Sequence, residues 1–228
     1  MMKKRKLQRK VMLLIAVVAA ASMAVEAQQF TPDDLNTWSF YGQGTKLVES
    51  HNSFFMKEDP AQSEGVMIVS PESYGENVVV SYDVMTLTPA SVLVAILSAS
   101  NPGEDEELTI PENYDGSMDF WINDVESYFY AFRNGPHNFT PFIRKYPVPE
   151  GQDPALVSYE KNIMHPGVFY TVEMGRKGNK LWLKVDGKKI LETTDKNAFG
   201  GGHVAFRIRG TAGEYAACLI RNVEIITK

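Results

Sequence analysis

The chain has 228 residues, 44% of them hydrophobic and 22% charged, with a net charge of −5 and one cysteine. A single cysteine excludes an intrachain disulfide framework. The acidic balance argues against nucleic acid, or an anionic membrane surface, as a partner.

Residues 1–27 read as an export signal. Lys3, Lys4, Arg5, Lys6, Arg9 and Lys10 form a basic n-region, and Val11 to Ala21 an apolar core. Val25, Glu26 and Ala27 place small residues at the cleavage positions. The apolar run is shorter than the ~20 residues a membrane span needs. The segment holds six of the 23 Lys and Arg and one of the 28 Asp and Glu. The rest of the chain then has 17 bases against 27 acids, a net charge of −10. A periplasmic or secreted protein is expected, with no membrane partner after cleavage. Residues 28–228 suit one β domain with an ample core.

Phe30 to Tyr41 is an opening segment with Asp33, Asp34 and Trp38. Short strands are expected at Lys46–Glu49, Phe54–Met56 and Val66–Ser70. Val78–Met85 and Val92–Ser98 are longer and flank a break at Thr88 and Pro89. Val92–Leu97 is almost wholly apolar, which suits a central strand. The acidic loop 101–119 reads as solvated, with calcium as the sharper alternative for its clustered carboxylates. Asp119 to Arg133 reads as a strand-rich block, and Asn134, Gly135 and Pro136 as a turn. Another strand is expected within Phe139–Lys145, followed by a proline-rich surface loop. The last sixty residues hold four apolar, aromatic-rich runs punctuated by Gly, Asn and Asp. Among them, Asp186-Gly187 between alternating runs predicts a two-residue hairpin. Cys218 lies in an apolar run and reads as a small buried hydrophobe. Together these elements predict an all-β sandwich of two antiparallel sheets.

Alternation divides the segment from Asp124 to Ala131 into two faces. Val125, Ser127, Phe129 and Ala131 form a small, apolar set suited to the interior. Asp124, Glu126, Tyr128 and Tyr130 form a set of carboxylates and phenols suited to a sugar-facing surface. At i, i+2 on one strand face, Asp124 and Glu126 also fall near the carboxyl separation of a retaining glycosidase. Ser127 to Pro149 contains no Asp or Glu. It holds Arg133, His137, Arg144 and Lys145 amid seven Tyr and Phe. Such a cationic, aromatic island suits a saccharide bearing carboxylate or sulfate. Pairing of these bases with the acidic loop is the structural alternative. The histidines show no metal-ligand spacing.

The runs Trp182-Leu-Lys-Val-Asp-Gly-Lys, Gly201-Gly-His-Val-Ala-Phe-Arg and Arg221-Asn-Val-Glu-Ile resemble the closing strands of the concanavalin A-like lectin/glucanase superfamily. Asp119-Phe-Trp-Ile-Asn-Asp, Tyr128-Phe-Tyr-Ala-Phe-Arg-Asn, His137-Asn and Arg144-Lys-Tyr-Pro resemble its YesU-like bacterial branch. That branch is associated with polysaccharide utilisation, notably of pectic rhamnogalacturonan. The opening Asp34-Leu-Asn-Thr-Trp and the tail are similar to a related bacterial family, classed with the glycoside hydrolases, that includes 3-keto-glycosidases. The E-x-D-x-x-E strand of laminarinase-type glucanases is absent, so their mechanism does not carry over. The resemblance implies a concanavalin A-like jelly roll with a concave, glycan-facing sheet. Three readings stand: an oligosaccharide- or polysaccharide-binding module, a glycoside hydrolase using Asp124 and Glu126, and a structural or interaction sandwich.

Overall fold

The computed structural model describes residues 26–49, 51–148 and 151–227. The expected export signal lies outside the described residues, apart from Glu26 and Ala27, which begin a strand. The chain opens with β1 (Glu26–Phe30), α1 (Pro32–Thr37), β2 (Ser39–Tyr41), β3 (Gly44–Glu49) and β4 (Ser53–Glu58). β5 (Val66–Tyr74), β6 (Asn77–Thr86) and β7 (Val92–Ser100) follow, then α2 (Met118–Asp124) and β8 (Glu126–Arg133). A 3-10 turn at Gly135–His137 leads to β9 (Phe142–Tyr146) and β10 (Ala155–Ser158). The chain closes with β11 (Tyr170–Lys177), β12 (Lys180–Val185), β13 (Lys188–Thr194), β14 (Gly202–Arg209) and β15 (Ala217–Thr227).

The strands form the two antiparallel sheets expected. One runs β13-β12-β11-β6-β15-β4-β3, with β1 also paired to β15; the other runs β10-β9-β8-β7-β14-β5-β2. In the first sheet, β6 alternates strictly. Val78, Val80, Tyr82 and Val84 are buried against the second sheet, while Ser81 and Asp83 face outward. The core between the sheets is aromatic at its centre: Phe206 stacks on Trp38 at 5.7 Å and meets Tyr82 at 4.4 Å. Trp38 follows α1, which starts with a reciprocal cap. The Thr31 hydroxyl accepts from the Asp34 amide (3.2 Å), and the Asp34 carboxylate accepts from the Thr31 amide (2.7 Å). Cys218 is buried in β15, and burial pushes its thiol up to about 12.

The second sheet is covered on both faces. Every residue of β7 is buried, between β8 and β14. Leu93, Ala95 and Leu97 join the inter-sheet core. Val92, Val94 and Ile96 join a second apolar cluster on the outer face, with Trp121, Tyr114 and Phe129. A continuous apolar run is the expected signature of such a strand.

Two expectations are corrected here. Residues 118–124 form α2 rather than a strand. As a strand, Trp121 would share a face with Asp119 and Asn123. As a helix it shares one with Met118 and Ile122, at i, i+3 and i+4, and all three turn toward the outer cluster. Ser117 caps the helix, its hydroxyl accepting from the Asp119 amide at 3.1 Å.

The two faces of β8 are also exchanged. Tyr128, Tyr130 and Phe132 point into the core between the sheets; Phe129 and Ala131 lie on the outer face. The tyrosines tolerate the interior because each hydroxyl finds a partner there. Tyr128 donates to Asp195 Oδ2 (2.8 Å), and Tyr130 donates to the Gly175 carbonyl (3.1 Å).

The predicted hairpin forms between β12 and β13. Leu181, Leu183 and Val185 are buried, and Trp182 lies on the other face, its indole N–H donating to Glu173 at 2.7 Å. Asp186 and Gly187 both have positive φ, 49° and 73°. This is the type I′ signature, which matches the twist of the flanking strands. A Cβ on Gly187 meets nothing within 4 Å, so a substitution there carries only the conformational cost. Gly187→Val is expected to lower stability by about 1–2 kcal/mol, measured by chemical denaturation. Unchanged stability contradicts that account.

Candidate functional site

A cleft of about 240 Å³ opens on the outer face of the seven-stranded sheet. Its lining comes from β7, β8, β9, β14, α2 and the 3-10 turn. Alternation on β9 places Phe142, Arg144 and Tyr146 on one face, and on β14 it pairs Arg207 and Arg209. Register brings these rows together. Phe129 lies opposite Arg144, Val94 opposite Arg207, and Val92 opposite Arg209. Met118 and Ile122 of α2 form one wall; Asn134, Pro136 and His137 form another. Thus the short helix that buries Trp121 also bounds the cleft.

The lining is aromatic and cationic, and no Asp or Glu belongs to it. Phe129 and Tyr146 meet edge to face at 5.2 Å. The Arg144 guanidinium lies 4.2 Å above the Phe142 ring. Its Nη1 donates to the Tyr146 hydroxyl (3.4 Å), and its Nη2 is 3.5 Å from His137 Nε2. His137 is exposed, and partial desolvation by its neighbours, reinforced by the Arg144 charge, holds it below its ordinary pKa. Arg207 is only 2% exposed. Its Nη2 donates to the carbonyls of Glu64 (2.9 Å) and Gly116 (2.6 Å). Arg209 is more open, with Glu64 3.7 Å away. The Nε atoms of Arg144 and Arg207 and the Oδ1 of Asn134 are buried without a hydrogen-bond partner among the described residues.

The structure brings together only part of the set singled out from sequence. His137 and Arg144 line the cleft. Arg133 is 2% exposed; it donates to the carbonyls of Ser91 and Pro89 and stacks 4.4 Å over Phe139. Lys145 turns the other way from Arg144 and pairs with Asp195 at 2.7 Å. Tyr128 and Tyr130 lie in the interior. Asp124 ends α2 and Glu126 begins β8, so the expected arrangement of two acids on one strand is not formed, and neither lines the cleft. Nor do the bases of 133–145 pair with the acidic loop: among the described residues, Lys145 alone of Arg133, Arg144 and Lys145 has a carboxylate partner, and it is Asp195.

Sequence reasoning missed Arg207, Arg209, Asn134 and Tyr146. The alternation of residues 202–209 already put Arg207 and Arg209 on one face. What it lacked was the knowledge that this face was the outer one. In the acidic loop, Asn101 ties the segment to itself, its amide donating to the Glu107 carbonyl (2.7 Å) and its Oδ1 accepting from the Thr109 amide (2.9 Å). Among the described residues no group of three or more His, Cys, Asp or Glu is placed to hold a metal ion.

No known family model matches the sequence, and no curated protein matches it. Solved structures do match. A Bacillus subtilis protein of unknown function with a galectin-like fold aligns with a TM-score of 0.65 at 16% identity, over 86% of this chain and 92% of that one. The carbohydrate-binding module CBM66 from B. subtilis aligns at 0.52 and 12%, over 83% and 96%. The VIP36 exoplasmic/lumenal domain, in a form bound to Ca²⁺ and Man3GlcNAc, aligns at 0.59 and 11%, over 84% and 83%. The chain therefore has the galectin-like, concanavalin A-like lectin fold. No described helix is long and apolar enough to cross a membrane.

Below the cleft, the Asp195 carboxylate accepts from Tyr128, Lys145 and the Asn197 amide. Burial pushes this carboxyl up, but the three donors outweigh it and hold the group below its ordinary value. A depressed folded pKa contributes stability above the unfolded value, about 4, and loses it as pH falls through the folded one. The stability gap between wild type and Asp195→Asn is therefore expected to be widest above about pH 4 and to narrow as acid is added. Thermal melts across that range check this; a gap independent of pH contradicts it.

Proposed function

We propose that the protein binds a saccharide carrying carboxylate or sulfate groups in the cleft of Arg144, Arg207 and Arg209. The carrying observation is electrostatic. Three arginines line a cleft without an acid in a chain that is otherwise strongly acidic. Without such local charge the overall field repels an anionic glycan. Arginine's planar fork matches two carboxylate or sulfate oxygens at once. Phe129, Phe142 and Tyr146 form an apolar floor beneath these charges, each 6% exposed or less. The fold shared with CBM66 and the VIP36 lumenal domain supports a carbohydrate as the ligand. The basic, then apolar, N-terminal segment supports export to the periplasm or the medium. The resemblance to the YesU-like branch supports a place in polysaccharide utilisation. Hydrolysis by Asp124 and Glu126 is not part of this reading, since neither lines the cleft.

A charged hydrogen bond of this kind contributes roughly 1.5–3 kcal/mol. Arg144→Ala is expected to weaken binding of an acidic oligosaccharide by about tenfold or more, by calorimetry. A neutral analogue should bind equally to both proteins, and added salt should reproduce part of the loss. Equal affinity of the wild type for acidic and neutral fragments, unmoved by salt or by Arg144→Ala, overturns the proposal.

A further inference from the structure

The cleft contains the groups for a reaction other than hydrolysis. Glycoside hydrolysis ordinarily uses two carboxyl groups flanking the scissile bond, and the lining offers none. It offers instead an imidazole, a phenol, an amide and three guanidinium groups. That set fits removal of a proton next to a carboxylate. Cations on the carboxylate stabilise the charge that spreads onto it as the proton leaves. A neutral imidazole takes the proton, and a phenol supplies one to the departing oxygen.

We propose that the cleft cleaves 4-linked uronate polysaccharides by β-elimination, with His137 as base and Tyr146 as acid. The inference rests on the binding reading above and adds chemistry to it. Arg144 joins the pair: one terminal nitrogen donates to the Tyr146 hydroxyl at 3.4 Å, and the other faces His137 Nε2 at 3.5 Å. The Arg144 charge beside Nε2 disfavours a second positive charge on the ring, and so favours the neutral imidazole. Partial desolvation by its neighbours acts in the same direction. Base, acid and one cation thus sit side by side along one guanidinium. Arg207 is a second cation, held in place by the carbonyls of Glu64 and Gly116. Its charge is fixed before substrate arrives, which is the condition for electrostatic stabilisation without reorganisation.

The step balances without a co-reactant. His137 takes the proton from C5 of the uronate. The C5–H electron pair becomes the C4=C5 double bond, and the C4–O4 bond breaks. O4 leaves with the neighbouring sugar, takes the Tyr146 proton and becomes that sugar's anomeric hydroxyl. Proton transfer through solvent from the His137 imidazolium to the Tyr146 phenolate restores both groups. No water, oxidant or metal is consumed.

The test incubates the wild-type protein with polygalacturonate, alginate and hyaluronan, and with amylose as a neutral control. Ultraviolet absorbance follows the conjugated double bond, and calorimetry follows binding to the same polymers. At least one polyuronate is expected to yield the chromophore, and amylose none. His137→Gln and Tyr146→Phe are each expected to reduce the rate by at least about 100-fold while leaving polymer binding within a few-fold of wild type. Binding without a chromophore from any polyuronate overturns the elimination and leaves the binding reading standing. New reducing ends without a chromophore overturn it in favour of hydrolysis. A chromophore unaffected by both substitutions overturns the assignment of base and acid. Absence of both binding and chromophore overturns the elimination together with the reading on which it rests.

Discussion

Two-sided burial of β7 is the constraint on which the rest of the molecule depends. A strand with all nine residues buried needs a cover on each face. On the inner face the cover is the eight-stranded sheet. On the outer face it is the chain between β7 and β8, with Tyr114 and Trp121. That cover is narrower than the sheet. Where it stops, at Met118 and Ile122, the apolar floor of Val92, Val94 and Phe129 continues as the floor of the cleft. The site is a narrow cleft in a face that the hydrophobic effect otherwise closes.

Buried arginines set the loops around this frame. Arg133, Arg176 and Arg207 are each 2% exposed or less. None has a carboxylate partner among the described salt bridges; each donates to backbone carbonyls. Arg176 ties the carbonyls of Phe199 and Gly200 to the Ser98 hydroxyl (2.6 Å), fixing the approach to β14. Arg133 does the same for the turn before β7. Burying an unpaired cation is costly, and neutral dipoles compensate only part of that cost. Of the three, Arg207 alone lines the cleft. The same residue type therefore does two jobs here, and position relative to the cover decides which.

Lys145 and Arg144 make the same point within one strand. They are adjacent in sequence and both cationic. Arg144 faces outward into the cleft, while Lys145 faces inward to Asp195 and lies 4.2 Å from the Phe199 ring. The cationic island read from sequence is thus split by the pleat into a site half and a structural half.

Local chemistry by itself determined most of the strands and the class of fold, though not α2, β1 or β10. Asp186-Gly187 needed only its own backbone preferences to define a hairpin. The unbroken apolar run of Val92–Leu97 needed only its composition to mark a central strand. Arg144 and His137 were legible because no acid stands near them in sequence. Tertiary structure alone decided which face of β8 is the interior. Alternation of period two divides a strand into two sets but does not label them, and here both faces are covered, so polarity gives no label either. Tyr128 and Tyr130 could go inside because Asp195 and Gly175, far along the chain, meet their hydroxyls. Arg207 and Arg209 joined Arg144 only because β14 and β9 flank the β7–β8 pair in one sheet. Such meetings rest on long-range pairing, which no local stretch of sequence carries.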